Sequence, residues 1–66
     1  MPIVQIHMLE GRTPELKEKL IYNVTQTIHE TLNAPVETIR VILDEMPLQH
    51  FGIAGESVKK RREQGR

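Results

Sequence analysis

The hydrophobic pattern changes period twice along the chain. Over residues 2–9 it alternates: Pro2, Val4, Ile6 and Met8 fall on one face of an extended strand, and Ile3, Gln5, His7 and Leu9 on the other. Both faces are largely apolar, so both are expected to be covered. Pro2 suits a strand's first residue, where its missing N–H does least harm. Glu10-Gly11-Arg12 reads as a turn, Thr13 as an N-cap and Pro14 as the first helical residue. From Pro14 to about Leu32 the period becomes helical, with Leu16, Leu20, Ile21, Val24, Ile28 and Leu32 forming one stripe. Glu15 and Lys19 make an i,i+4 pair on its wet side, and Asn33-Ala34-Pro35 ends it. A second strand runs from Ile39 to about Met46, with Val41, Ile42 and Leu43 at its centre.

Strand, helix and strand joined by short links form a β-α-β unit with parallel strands and a right-handed crossover. The predicted fold class is therefore α+β: one such unit in a single domain over residues 1–58. Residues 47–55 are turn-rich and apolar and predict a small hairpin, or coil that packs on a neighbour. Residues 59–66 read as a basic, frayed tail. One helix covers one face of a two-stranded sheet, and the other face and both edges then need partners.

Composition sharpens that requirement. A chain of 66 residues buries only about 60% of the surface its unfolded form exposes. It has no Cys or Trp, one Phe and one Tyr, so neither disulfides nor large aromatic anchors reinforce the core, yet 38% of it is hydrophobic. Oligomerisation is the remedy small scaffolds use. The net charge of zero is unevenly placed: residues 59–66 hold five cations and one anion, leaving four cations and eight anions in residues 1–58. No apolar run approaches the ~18 residues of a membrane span, and nothing resembles a signal peptide. A cytoplasmic protein is expected.

Candidate chemistry starts at Met1-Pro2. A small second residue permits removal of the initiator methionine, which would make Pro2 a secondary amine at the end of a rigid strand. Ordinary α-amines titrate near pH ~8. Apolar surroundings and nearby cations favour the neutral amine, and a base works best when its pKa lies near the working pH. With Met1 retained, Pro2 has no basic lone pair. Arg12 sits where a helix dipole attracts anions rather than cations, so it reads either as a ligand for an anion or as a solvated turn residue. Arg40, within the second strand, either pairs with Asp44 or Glu45 or grips a ligand. Seven strand steps of ~3.3 Å, roughly 23 Å in all, separate Pro2 from Arg12, so a small molecule can meet both only if Arg12 comes from another chain. Pro2 and Arg40 are expected on one side of the molecule, in one chain or across an interface. Two guanidinium groups and a neutral amine suit a small dicarboxylic acid. Phe51, beside Gly52, either walls such a site from water or simply packs. His7, His29 and His50 lack metal-ligand spacing and read as packing or surface residues, with no metal. The basic tail lacks interleaved aromatics, so neither nucleic acid nor a membrane is the expected partner.

Pro-Ile-Val-Gln-Ile-His at 2–7, Leu-Glu-Gly-Arg at 9–12, Ala-Pro at 34–35, Ile-Arg-Val-Ile at 39–42 and His-Phe-Gly-Ile-Ala-Gly-Glu at 50–56 together resemble the 4-oxalocrotonate (2-hydroxymuconate) tautomerase family of the tautomerase superfamily. The resemblance covers about residues 2–62. It implies a β-α-β subunit in a hexamer, a trimer of dimers with shared sites, and an isomerase of aromatic-hydrocarbon catabolism without cofactor or metal. It further implies Pro2 as base, Arg40 on the carboxylate next to the reacting oxygen, Arg12 on the far carboxylate, Phe51 as an apolar wall, and Leu9 and Ile53 as lining positions. A related enzyme on another unsaturated 2-oxo acid, or a non-catalytic oligomer if Met1 is retained, are the alternatives. The family's working form begins at proline, whereas this sequence begins at Met1.

Overall fold

The computed structural model describes residues 1–65. Strand β1 (Ile3–Leu9), helix α1 (Pro14–Leu32) and strand β2 (Arg40–Met46) form the predicted unit. The strands pair in parallel from Ile3 opposite Arg40 to Leu9 opposite Met46. At its two ends the ladder is extended by Arg40 N–H to the Pro2 carbonyl (2.9 Å) and Glu10 N–H to the Met46 carbonyl (2.9 Å).

Local chemistry sets the helix limits. The Thr13 hydroxyl accepts from Leu16 N–H at 3.2 Å, a cap generally worth about 1 kcal/mol, and Pro14 supplies a pre-set first turn. At the far end Asn33 turns left-handed at φ 56°, and the His29 ring bonds through Nδ1 to the Ala34 carbonyl at 2.7 Å. Lys17 on α1 reaches Glu45 on β2 at 2.8 Å, tying helix to sheet.

The helix covers the face carrying Val4, Ile6, Met8, Val41 and Leu43, all half-buried. The opposite face stays open: Ile3 is 59% and Ile42 47% exposed. The expectation that both faces are covered therefore fails within one chain, since no second layer exists to cover Ile3 and Ile42. The ends of the α1 stripe, Leu16 and Leu32, are likewise exposed. Among the described residues only the apolar side chains of Ile39 and Val58 are buried, each still 7% exposed.

Beyond β2, the 3₁₀ turn Leu48–His50 leads into a hairpin of β3 (Gly52–Ile53) and β4 (Glu56–Ser57), the hairpin alternative for residues 47–55. The frayed tail expected at 59–66 is instead helical up to Glu63, as α2 (Val58–Glu63). The Ser57 hydroxyl caps it by accepting from Lys60 N–H at 3.1 Å. Val58 buries and donates its N–H to the Phe51 carbonyl at 2.8 Å, and Lys60 and Arg61 both approach Glu56. Clustered cations also suit a helix C-terminus, where the dipole is negative. Arg66, at the end of that expected tail, lies outside the described residues.

Candidate active site

Pro2 and Arg40 occupy one end of the sheet. Pro2 is half-buried and precedes β1, while Met1 ahead of it is exposed. The bond between the Pro2 carbonyl and Arg40 N–H fixes both backbones at the start of the parallel ladder. By strand alternation Pro2 lies on the helix-covered face with Val4, and Arg40 on the open face with Ile3.

The Arg40 side chain is exposed, and its Nη1 donates to the Glu37 carbonyl at 2.6 Å. The structure thus corrects the expected Asp44 or Glu45 partner. Asp44 lies four residues further along the open face, opposite His7 in the ladder, and bonds to His7 Nδ1 at 2.9 Å. Glu45 points to the helix side and holds Lys17. Both carboxylates are engaged, and Arg40 is held by a neutral group instead. Its positive charge is left for an anion.

Leu9 and Arg12 lie at the other end. Gly11 at φ 128° makes the sharp exit from β1 that a side chain would strain, and it sets Arg12 just before the helix cap. A cleft of about 600 Å³ opens there, lined by Leu9, Glu10, Gly11, Arg12, Leu20 and Arg62 among others. Arg62 was not a sequence candidate. The signal that could have found it is the Ser57 cap before Val58, which marks a helix start rather than a disordered tail.

Phe51 and Ile53 continue from the Met46 end of β2, with Phe51 following the 3₁₀ turn and Ile53 in β3. They are 40% and 42% exposed, so neither is simply packed within its own chain. The six predicted site residues therefore fall in two groups: Pro2 with Arg40, and Leu9 with Arg12 and the hairpin that carries Phe51 and Ile53. A seven-residue strand, roughly 20 Å long, stands between them. One chain therefore does not bring Pro2 and Arg40 together with the other four. Among the described residues no cluster of His, Cys, Asp or Glu is arranged to hold a metal ion, and no helix is long and apolar enough to cross a membrane.

Known proteins share this sequence pattern and this fold. A family model for the tautomerase enzyme matches residues 2–61. A 2-hydroxymuconate tautomerase of Stutzerimonas stutzeri is 58% identical over 59 residues, covering 89% of this chain and 94% of its own. Among solved structures, TomN, a 4-oxalocrotonate tautomerase homologue in the tomaymycin biosynthetic pathway, superposes with a TM-score of 0.92 at 38% identity, over 98% of this chain and 100% of its own. A heterohexameric 4-oxalocrotonate tautomerase from Chloroflexus aurantiacus J-10-fl gives a TM-score of 0.83 at 30% identity, over 91% and 97%.

Proposed function

This chain belongs to the tautomerase family and is an isomerase, and from that premise we propose that it converts 2-hydroxymuconate to 2-oxo-3-hexenedioate. Pro2, freed by removal of Met1, is the general base. Its amine takes the proton from the 2-hydroxyl. The electrons of that O–H bond form the C2 carbonyl, the two double bonds become one between C3 and C4, and the proton is returned at C5. Nothing is oxidised or reduced, so the balance requires no cofactor.

Arg40 binds the carboxylate beside C2 and stabilises negative charge growing on the oxygen, usually a large catalytic contribution. Arg12 binds the far carboxylate and draws electron density towards C5. Phe51 walls the amine from water, which favours its neutral form, and Leu9 and Ile53 line the site. Because these residues divide into two groups along the strand, the site joins groups from more than one subunit. A homo-oligomer is required, and a hexamer built as a trimer of dimers is the assembly this reading favours, in keeping with the hexameric relative.

The observation that carries the reading is the near full-length identity to a 2-hydroxymuconate tautomerase, with Pro2, Arg12 and Arg40 all present at strand and turn positions that leave them accessible. A second reading keeps the same chemistry on another unsaturated 2-oxo acid. TomN favours it, since a nearly superposable chain serves a biosynthetic pathway. The test is the pH dependence of kcat/KM for ketonisation of 2-hydroxymuconate, with intact mass measured on the same sample. The expected profile rises through an apparent pKa below the ~8 of an ordinary α-amine. No turnover by a chain that has lost Met1 would overturn the substrate. Full turnover by a chain that keeps Met1 would overturn the base.

A further inference from the structure

We propose that Thr38 is a positioning residue for Arg40, acting through the 3₁₀ turn that joins α1 to β2. The inference rests on the role given above to Arg40 and extends it to a residue that touches no substrate. The turn spans Val36–Thr38 and is entered from Pro35. The Pro35 carbonyl accepts twice from the same residue, from Thr38 N–H at 3.0 Å and from the Thr38 hydroxyl at 2.8 Å. Ile39 N–H then bonds to the Val36 carbonyl at 3.2 Å, and Ile39 is one of the two buried apolar residues among those described. The turn is thus tied at its entrance by Thr38 and anchored at its exit by Ile39.

The consequence falls on the carbonyl between them. Glu37 presents its backbone oxygen to Arg40 Nη1 at 2.6 Å. A guanidinium has five N–H donors in a rigid plane, so fixing one of them orients the rest. A carbonyl holds the group without cancelling its charge, whereas a carboxylate partner would compete with a carboxylate substrate. The two acids further along β2 are occupied by His7 and Lys17. Arg40 is therefore aimed next to the backbone bond that joins it to Pro2. The hydroxyl of Thr38 is the side-chain element of this support that mutation can remove with little change of shape. The Glu37 side chain is exposed and takes no part.

The experiment is a double-mutant cycle, with Thr38→Val and Thr38→Ser each made in the native chain and in Arg40→Ala, and kcat/KM measured on 2-hydroxymuconate. Thr38→Val is expected to lower kcat/KM about tenfold, as small misplacements of a binding group do. Thr38→Ser, which keeps the hydroxyl, should restore it. In the Arg40→Ala background the valine substitution should change nothing, because interacting residues are not additive. An equal loss in both backgrounds would mean a merely structural role and overturn the proposal, as would an unaffected Thr38→Val. Nitrogen NMR of the Arg40 side chain gives a reading independent of any substrate. Its two η nitrogens should be distinct in the native chain and averaged in Thr38→Val, and identical spectra would also overturn the positioning role. If the spectra respond as expected but Arg40→Ala turns over normally, the functional reading has failed and the positioning has not.

Discussion

Two arginines of identical chemistry are expected to fail differently when removed, because they meet different parts of the reaction. In the proposed mechanism Arg40 faces charge that appears only as the enol proton leaves, so Arg40→Ala should lower kcat about a hundredfold or more. In the same mechanism Arg12 grips a carboxylate that is charged throughout, so Arg12→Ala should chiefly raise KM for a dicarboxylate, about tenfold to a hundredfold, with a smaller loss in kcat. Steady-state kinetics on a dicarboxylate and on its monocarboxylate analogue separate the two. The Arg12 effect should vanish on the analogue and the Arg40 effect should persist, and equal KM and kcat changes in both variants would contradict the division of labour. These residues were legible in the sequence because their types and positions are unusual: a proline opening a strand, a cation before a helix cap, a cation in a strand. What holds Arg40 was not legible. Side-chain patterns suggest side-chain partners, and its partner is a backbone carbonyl presented by a 3₁₀ turn, which carries no mark in residue type.

At the scale of elements, the limits of α1 were readable because each was written in capping chemistry: Thr13-Pro14 at one end and Asn33 before Pro35 at the other. The sequence leaves the hairpin open between two forms, because its turn carries Ala-Gly rather than the usual Asn-Gly. Ala54 and Gly55 both adopt positive φ, 54° and 85°, between the paired Ile53 and Glu56. That is the geometry of a two-residue primed turn, which favours Asn-Gly. Glycine accepts it freely, whereas alanine bears roughly 1–2 kcal/mol of strain in the left-handed region. Ala54→Asn is therefore expected to stabilise the protein by about 0.5–1 kcal/mol, visible as a higher Tm at constant protein concentration. Because the same hairpin carries Phe51 and Ile53, a stiffer turn should leave kcat/KM unchanged or slightly raised if those residues line the site. An unchanged or lower Tm would mean that the turn is not strained in the assembled protein. Helix α2 escapes the sequence reading for a different reason: its four consecutive cations resemble a solvated tail, and the Ser57 cap with one buried residue, Val58, is a smaller signal than the charge.

The whole molecule is too extended to stand alone. Its radius of gyration is 15.4 Å, against about 11 Å for a compact chain of this length. It exposes 5006 Å², roughly 700 Å² more than a compact monomer of its mass would. That excess is close to the ~800 Å² each partner contributes to a standard interface, and it includes Ile3, Ile42, Phe51 and Ile53. The short chain, rich in aliphatics and poor in aromatics, announced this need, but which chain supplies which site residue depends on strand length. Arg40 opens β2 beside Pro2, while Arg12 follows the far end of β1, and a six-carbon diacid is much shorter than the strand between them. A test follows from mixing two disabled chains, Arg40→Ala and Arg12→Ala, unfolding them together and refolding them as mixed oligomers. If each site takes its two arginines from different chains, random assembly leaves about a quarter of sites with both, and activity should return to about that fraction of native. If one chain supplied both, no mixed site would be complete, and the mixture would do no better than the average of its two parents.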